Sequence, residues 1–504
     1  MQVNKKHLTS PSVITLLGSK RFFWGIMVLM VVQAVWIALT ARYPMAFDED
    51  FHLGIIRLYA HHISPFWANH PSGADAFGAV ARDPSYLFHY LMSFPYRLIA
   101  ACTDNQTVQV LFLRAINIGL LTASLPLYRK LLLKTGASRA MVQTCLLLFV
   151  LVPIVPMLAA QINYDNLLLP LTALFLLCAL KVRQALQANV VSLTSLLQCL
   201  SLGMFAGLVK YAFLPIFVAV VIYLAVSLLR TFGFKASIVR LRDDFLKARA
   251  SKRLWLLLAG FLVLLLLSFE RYGVNIIRYH TPVPDCGQVL TVQQCSAYGP
   301  WIRDYNLAAQ NTASPNPANY LKEWLYGMWF RSFFAVDGPS TQFQTRGPLF
   351  VPAVSAIIFV LIAAVAAVRA RRWLWQESGP AVRLFVLVTA CYIGVLFLQQ
   401  YKLYSDTGQP VAINGRYLLP LLPLVVLVCA LAVQQAVSSR RLKVGLAIAT
   451  IACFAYGGGA LTYILRSNDT WYWDNGAVRT ANHAVQRVIG PVVPGNYTPT
   501  AFLR

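Results

Sequence analysis

The chain is built from long apolar runs separated by short polar segments. About eleven of these runs have the length of roughly 20 residues that a helix needs to cross a bilayer. The predicted spans are 22–41, 109–128, 140–160, 164–181, 191–209, 211–229, 254–270, 349–368, 383–400, 416–436 and 444–465. The pattern predicts an all-α polytopic integral membrane protein, with residues 1–465 as one transmembrane domain and 466–504 as a short tail.

The segment 191–229 is almost uninterrupted apolar sequence and holds a single charge, Lys210. As one helix it would be about 58 Å long, far longer than a hydrocarbon core of about 30 Å is thick. Two spans that meet at Lys210 and Tyr211 fit the bilayer. They also keep the basic segment 230–253 on the same side as the other basic loops. We therefore predict a tight turn at Lys210.

The charges are distributed unevenly between the two sides of the predicted bundle. Lys and Arg number 43 against 18 Asp and Glu, which gives a net charge of +25. The cations lie near the N-terminus and between alternate spans, in 129–139, 181–183, 230–253, 369–372 and 440–443. This positive-inside pattern predicts a cytoplasmic N-terminus and an extracytoplasmic C-terminus. It argues against a nucleic-acid-binding groove as the reason for the basic charge.

Two loops on the extracytoplasmic side, 42–108 and 271–348, are long enough to be structured. In the first loop, 50–62 and 86–99 have the spacing of helices but are too short to span, so we predict interfacial helices. The second loop contains Cys286 and Cys295. Their nine-residue separation in an oxidising compartment indicates a disulfide, and two free thiols are the alternative.

An acidic stretch follows the first span directly. Asp48, Glu49 and Asp50 come in succession, and His52 lies four residues after Asp48, on the same face of a helix. A span end needs no such cluster, so the carboxylates indicate acid–base or metal chemistry. The alternative is a solvated acidic loop. His52 and the carboxylates are candidate ligands for a divalent metal, although a lone histidine is more often a hydrogen-bonding partner.

Three further polar positions are predicted at the extracytoplasmic ends of spans: Asp165, Lys210, and Arg416 with Tyr417. Carboxylates can deprotonate or orient an acceptor hydroxyl, whereas lysine and arginine can hold a phosphate. Each position also has a simpler interpretation. In these interpretations, Lys210 only extends from a turn to the interface, Arg416 only anchors a span there, and Asp165 only caps its helix.

The order of these features resembles the GT-C superfamily of polytopic glycosyltransferases, in particular its protein-mannosyltransferase-like and bacterial branches. The resemblance extends over roughly residues 20–440. It rests on four short motifs: Phe-Asp-Glu-Asp-Phe-His at 47–52, Tyr-Asp-Asn at 164–166, Gly-Leu-Val-Lys-Tyr at 207–211, and Gly-Arg-Tyr-Leu-Leu-Pro-Leu-Leu-Pro at 415–423. The superfamily uses polyprenyl-phosphate-linked sugars as donors.

The resemblance implies an inverting glycosyltransferase that moves a sugar from a polyprenyl-phosphate donor to an extracytoplasmic glycan, lipid or protein. It implies that Asp48, Glu49 and Asp165 are catalytic, with Asp48 as general base, and that Lys210 and Arg416 bind the donor phosphate. The supporting residues would be Asp50, His52 and Tyr417. The additional Asp50 leaves open which carboxylate is the base. The expected location is a bacterial inner membrane, and no cofactor beyond a possible divalent metal is implied.

Two other functions use a similar membrane architecture. A lipid-linked sugar flippase would carry ionisable residues deep in its spans, and Arg114 is the nearest example here. A polysaccharide polymerase or ligase would use arginine and histidine in the second outer loop and its flanks, where the candidates are Arg271, Arg278, His280, Arg303 and Arg331. Turnover of the donor lipid separates transfer from transport, and product length separates a single transferase from a polymerase.

Overall fold

The structure, a computed structural model, describes residues 11–46, 48–312, 314–334 and 347–493. Phe47 of the acidic stretch, part of the loop 271–348 and the last residues of the tail therefore lie outside the described residues. The first half contains α1 (Pro11–Leu17), α2 (Lys20–Thr40), α3 (Glu49–Ala60), α4 (Leu87–Cys102), α5 (Gln106–Leu133), α6 (Arg139–Leu151), α7 (Ile154–Ala159), α8 (Asp165–Gln187), α9 (Leu193–Val209), α10 (Leu214–Phe232), α11 (Phe234–Ala248), α12 (Lys252–Ser268) and α13 (Val274–Tyr279).

The second half contains shorter helices in its loop and further long apolar ones. They are α14 (Cys286–Val289), α15 (Val292–Cys295), α16 (Gly299–Gln310), α17 (Pro317–Phe333), α18 (Phe350–Arg369), α19 (Pro380–Thr407), α20 (Leu422–Ala436), α21 (Arg440–Ala455), α22 (Ala460–Arg466) and α23 (Gly476–Ile489). Short 3₁₀ segments at Asp75–Phe77, Tyr211–Phe213, Gly415–Leu418 and Asp469–Trp471, and π segments at Phe269–Gly273 and Trp373–Glu377, connect or interrupt them.

Eight helical segments of the described chain are long and apolar enough to cross a membrane. They are Lys20–Thr40, Gln106–Leu133, Asp165–Gln187, Tyr211–Phe232, Lys252–Tyr279, Phe350–Arg369, Pro380–Thr407 and Arg440–Arg466. Three shorter apolar helices, α6, α9 and α20, coincide with the remaining predicted spans. The prediction of an all-α polytopic membrane protein is confirmed.

Several spans are longer or more broken than the sequence pattern indicated. The predicted span 140–160 consists of α6 and the short α7, because Pro153 and Pro156 cannot donate the backbone hydrogen bonds that would continue one helix. The predicted span 444–465 is divided into α21 and α22 by three glycines, of which Gly459 has a positive φ of 59°. A side chain at Gly459 would collide with Gln33, whose carboxamide oxygen accepts a hydrogen bond from the backbone of Ala460.

The break between α9 and α10 lies at Lys210, where the sequence predicted a turn. Lys210 has an extended backbone (φ −153°, ψ 119°), and one 3₁₀ turn then leads into α10. Pro215 lies in the first turn of α10, where the missing N–H costs nothing because no intrahelical acceptor precedes it. The Lys210 side chain therefore starts between α9 and α10, at the end of the bundle where these two helices meet the first outer loop.

The loop between α2 and α5 folds into α3 and α4, which pack against each other and against the spans. The tail reaches the same region through an isolated β-bridge between Ala41 and Tyr472. Two backbone hydrogen bonds reinforce the bridge, one from Arg42 to Trp471 (2.8 Å) and one from Trp473 to Thr40 (3.2 Å). We call this end of the bundle the site end.

Candidate active site

Four charged side chains from distant parts of the chain form two ion pairs at the site end. A terminal nitrogen of the Arg416 guanidinium lies 2.5 Å from Oδ2 of Asp48, and Nζ of Lys210 lies 2.7 Å from Oδ1 of Asp165. The ring of Tyr417 connects the two pairs, since its centroid is 5.2 Å from Lys210 Nζ and 5.4 Å from the guanidinium carbon of Arg416. The structure thus brings together five of the residues that the sequence analysis selected.

Asp48 is the most accessible of the four charged groups. It precedes α3 in the left-handed region (φ 73°, ψ 26°), which aspartate tolerates better than most side chains. Its carboxylate makes no capping hydrogen bond to α3, and the side chain is 37% exposed. The carboxylate is therefore held by Arg416 on one side while remaining open to a reactant.

Glu49, the next residue, has a different environment. Its side chain is fully buried, and its oxygens accept hydrogen bonds from Arg114 Nε and a terminal nitrogen of the same guanidinium (2.8 and 2.7 Å). They also accept from the backbone N–H groups of Met45 (2.8 Å) and Ile162 (3.2 Å). With four donors around it, the Glu49 carboxylate joins α3, α5 and the segment before α8.

Arg114 was noted in the sequence as the charge nearest to the middle of a span. In the structure Arg114 forms the ion pair with Glu49, and it also donates to the carbonyls of Ala38 (2.8 Å) and Ala41 (2.6 Å) at the end of α2. Its guanidinium lies over the ring of Trp473 from the tail. Every partner is part of the scaffold, so Arg114 does not form the path of ionisable groups that a flippase would need.

Asp165 and Lys210 form a buried pair at the ends of α8 and α9. Asp165 is the first residue of α8 and Tyr164 occupies the capping position, so the Asp165 carboxylate bonds to Lys210 rather than to the helix backbone. The other oxygen of Asp165 is buried and has no hydrogen-bond partner within the described residues. Lys210 is only 4% exposed and lies 4.4 Å from the centroid of the Tyr164 ring, so it does not snorkel to water.

Asparagines fix the segment that carries Tyr164 and Asp165. The side chain of Asn166 donates to Asn117 Oδ1 (3.0 Å) and to the carbonyls of Leu158 and Gln161 (2.9 and 3.1 Å). The backbone of Asn163 also donates to Asn117. Because these amides are buried and bonded, the start of α8 has one well-defined position relative to α5.

Arg416 and Tyr417 lie in the 3₁₀ segment before α20, which the side chain of Asn414 caps through the N–H of Arg416 (3.0 Å). Arg416 is 6% exposed, which does not fit a simple interfacial anchor. Gly415 packs directly on α17, where a Cβ would lie 1.9 Å from Ser332 Oγ and 2.5 Å from the carbonyl oxygen of Met328. Only glycine lets this segment approach closely enough to present Arg416 to Asp48.

His52 lies on the inner face of α3 and bonds to a second histidine. Its Nδ1 is 2.8 Å from Nε2 of His89 on α4, and its ring meets Tyr164 edge-on at 4.5 Å. Burial, together with His89 and the cations Arg416 and Lys210, lowers the pKa of His52, and burial lowers the pKa of His89 to about 3. Both imidazoles are therefore neutral at physiological pH.

The half-buried position of Asp50 raises the pKa of its carboxyl group above the usual range, and the charges of Asp48 and Glu49 raise it further. Within the part of the chain that the structure describes, no group of three or more His, Cys, Asp or Glu side chains is arranged to hold a metal ion. Asp50 lies two residues after Asp48 but belongs to neither of the two ion pairs.

The second loop is closed by a disulfide between Cys286 and Cys295, whose Cα atoms are 5.8 Å apart. Arg271, which the sequence analysis gave as a candidate residue of a polymerase or ligase, is buried at the start of this loop. It donates to the carbonyls of Ala81 and Pro65, with Phe66 and Tyr86 against its guanidinium. Its hydrogen bonds hold the two outer loops together.

The sequence analysis did not select Arg114, Tyr164, Asn117 or His89 as site residues. Arg114 carried a usable signal, because a lone charge inside an apolar helix requires a buried partner of opposite charge. Tyr164 belongs to the Tyr-Asp-Asn motif at 164–166, but nothing in the sequence indicated that its own ring would contact Lys210. The roles of Asn117 and His89 depend on contacts across distant helices, which spacing does not reveal.

The comparison with known protein families matches this chain to the model of dolichyl-phosphate-mannose-protein mannosyltransferases over residues 24–275, half of the chain. The chain belongs to this family. The matched region includes Asp48, Glu49, Asp165 and Lys210, and ends before Arg416. No curated protein and no solved structure matches the chain.

Membership of the family confirms the resemblance to GT-C glycosyltransferases. The protein is a multi-pass membrane glycosyltransferase that uses a sugar linked to a polyprenyl phosphate. The two ion pairs at the site end supply both groups that such a reaction needs: a carboxylate that can accept a proton, and cations that can hold a phosphate.

Proposed function

We propose that the protein transfers one sugar, with inversion at the anomeric carbon, from a polyprenyl-phosphate donor to a hydroxyl of an extracytoplasmic glycan, lipid or protein. The observation that carries this proposal is the meeting of Asp48 with Arg416 and of Asp165 with Lys210 around the Tyr417 ring. A general base and two phosphate-binding cations then lie close together at the site end, around the position where the anomeric carbon must react.

In this mechanism Asp48 accepts the proton of the acceptor hydroxyl while the acceptor oxygen forms a bond to the anomeric carbon. The bond between that carbon and the phosphate oxygen breaks, and polyprenyl phosphate leaves with the electron pair. Attack from the face opposite to the leaving phosphate inverts the configuration. One proton moves to Asp48 and one sugar changes its oxygen partner, so the step needs no oxidant or metal ion to balance.

Lys210 and Arg416 act on the leaving group. The donor is a phosphodiester with one negative charge, whereas the released monoester carries about −1.5 to −2 at pH 7. The cations therefore gain interaction energy as the bond breaks, which lowers the barrier more than it strengthens binding of the donor. The interior position of both cations enhances this effect because little water screens them.

Asp165 and Glu49 have supporting parts in this proposal. Asp165 fixes Lys210 and retains one oxygen that can accept a hydrogen bond from a substrate hydroxyl. The fully bonded Glu49 holds the backbone before Asp48 at Met45 and the segment before α8 at Ile162. It is assigned a positioning role in place of the catalytic role that the resemblance implied. His52, Asp50 and Tyr417 surround the pairs.

We further propose that the site end faces away from the cytoplasm, in a bacterial inner membrane. The support is the position of the basic segments, which alternate with the site loops along the chain. The N-terminus would then be cytoplasmic, and the tail from residue 466 would lie beside the first outer loop as part of the site end.

The test is the release of free polyprenyl phosphate by the purified protein from polyprenyl-phosphate mannose, glucose and arabinose, with an extract of cell envelope as acceptor. A general base contributes about 10²- to 10⁴-fold, so Asp48→Asn should reduce release by this factor. Asp304→Asn is the matched control, since Asp304 also pairs with an arginine (2.7 Å) but lies in an exposed part of the second loop.

Release by the wild type and the Asp304→Asn variant, together with loss in Asp48→Asn, supports the proposal and identifies the sugar. Equal release by wild type and Asp48→Asn would show that Asp48 is not the base. A wild type that is folded and releases nothing from any of the three lipids would overturn the proposed donor set.

A further inference from the structure

The disulfide-closed segment of the second loop forms a small module with its own apolar core. Cys286, Cys295 and Trp301 are buried against one another, with Leu290 and Ile302 around them. The indole N–H of Trp301 donates to Asp285 (2.6 Å), which also caps α14. The disulfide and this hydrogen bond give the module a defined shape despite its short helices.

Tyr298 of the module contacts the first outer loop, which carries Asp48. Its backbone N–H bonds to the carbonyl of Cys295 (2.9 Å), so the disulfide fixes where its side chain begins. Its ring lies 6.0 Å from the ring of Phe51, three residues after Asp48 on the first turn of α3. On its other side it rests on Gly78, where a Cβ would be only 2.8 Å from the Tyr298 ring.

The Tyr298 hydroxyl interacts electrostatically with charged and phenolic groups from both halves of the site. Burial raises the pKa of the phenol, and the charge of Asp48 raises it further, followed by Asp83, Tyr211 and Tyr417. Asp48 is the base of the proposed reaction, and Tyr417 contacts both phosphate-binding cations. Among the described residues the hydroxyl has no hydrogen-bond partner.

We propose that Tyr298 binds the sugar ring of the lipid-linked donor and forms the roof of the site. This inference rests on the proposed function. In that mechanism the sugar lies beside the exposed side of the Asp48 carboxylate, while its phosphate is held by Lys210 and Arg416. Tyr298 approaches this space from the second loop through its contact with Phe51, three residues after Asp48, and a phenol can both donate to and accept from a sugar hydroxyl. Its apolar ring excludes water above the reacting carbon.

Tyr298 lies beyond residue 275, where the match to the family model ends. A residue outside the matched region that contacts the sugar can set which sugar this chain prefers while the matched residues perform the shared chemistry. Phosphate and polyprenyl tail are common to all such donors, so selectivity has to come from contacts to the sugar hydroxyls.

The test compares two lipids in equilibrium binding to the purified protein without acceptor. The first is the polyprenyl-phosphate sugar that the wild type binds most tightly among the mannose, glucose and arabinose forms, and the second is bare polyprenyl phosphate. Tyr298→Phe should weaken binding of the sugar lipid about three- to tenfold, as expected for one lost hydrogen bond, and leave bare polyprenyl phosphate unchanged.

Two further variants make the result specific. Tyr305→Phe is the matched control, because Tyr305 stacks on Trp301 within α16 and is 48% exposed. This variant should bind both lipids as the wild type does. A Cys286→Ser/Cys295→Ser variant releases the module and should reproduce the selective loss for the sugar lipid. This second route keeps the test decisive if Tyr298→Phe folds poorly.

Unchanged binding of both lipids by Tyr298→Phe and by the double cysteine variant would overturn the inference. An equal loss for both lipids would also overturn it, since it would mean that Tyr298 only packs against Phe51. A wild type that binds neither lipid would instead reject the proposed function itself, so the two failures are distinguishable.

Discussion

Glu49 and Arg114 form an ion pair with no exposed side-chain surface, beside the carboxylate that we propose as the base. Such a pair is costly to bury and is tolerated only when every remaining donor and acceptor is satisfied. Here the pair has backbone partners in α2, before α3 and before α8. In the proposed function, Glu49 of the acidic motif thus fixes the loop, and the preceding residue, Asp48, performs the chemistry.

Glu49→Gln should destabilise the protein, because it leaves the Arg114 charge buried with a neutral partner of the same shape. The expected loss is about 3–5 kcal/mol, measured by denaturant unfolding in detergent, accompanied by a lower kcat for donor release. Asp474→Asn, which breaks the exposed pair with Arg479, should leave both quantities unchanged. A Glu49→Gln variant with wild-type stability would contradict the structural part assigned to this residue.

At the scale of elements, α3 and α4 are joined by the buried His52–His89 hydrogen bond. The pKa of each histidine is lower in the folded protein than the value of about 6.5 expected after unfolding. Below pH 6.5 the unfolded chain therefore binds more protons than the folded one, and stability falls as the pH decreases. Above pH 6.5 the contribution of both histidines is complete and constant.

The melting temperature in detergent should accordingly fall between pH 6.5 and pH 5. A His52→Gln/His89→Gln variant should show a flatter profile over this range, even if its melting temperature is lower throughout. Asp50 on α3 has a raised pKa and acts in the opposite direction, so the difference between the two proteins isolates the imidazoles. His61→Gln, at the exposed end of α3, is the control, and identical slopes for all three proteins would refute the coupling.

Much of the element pattern could be predicted from the sequence. Apolar length gave the spans, and the single charge in 191–229 gave the break at Lys210. The break inside α6–α7 and the one before α22 were missed, because length and hydropathy alone do not register where proline or glycine interrupts an apolar run. The breaks matter for the site: α7 leads into Asn163 and Asp165, and α22 leads into the tail that contacts Arg114.

For the whole molecule, the alternation of spans was sufficient to predict that Asp48, Asp165, Lys210 and Arg416 lie at one end of the bundle. The pairing of Asp48 with Arg416 and of Asp165 with Lys210 was not predictable, since helix order in a membrane bundle depends on packing between distant segments. The approach of Tyr298 to Phe51 was equally hidden, because a disulfide pairing inside a loop says nothing about what the loop covers.

Truncation after Arg466 should abolish donor release, although every predicted span is retained. The tail supplies the Trp473 ring beneath Arg114 and the hydrogen bonds to Thr40 and Arg42. Its loss removes partners from the segment that positions Asp48. Val488→Ser is the control, because Val488 lies at a 73% exposed position of α23. This variant changes the tail without removing these contacts and should keep full donor release. Wild-type release by the truncated protein would show that the tail does not brace the site.

The bridge between Ala41 and Tyr472 also orders events in time. Its two residues are far apart in the sequence, and they can meet only after every predicted span has been synthesised. Until then, a nascent chain that has already inserted its spans into the membrane lacks the hydrogen bonds from the tail to the segment before the acidic motif. A segment that follows all the predicted spans completes the first loop. Copies that stop before it therefore hold the residues that we propose to bind the donor without a finished site end.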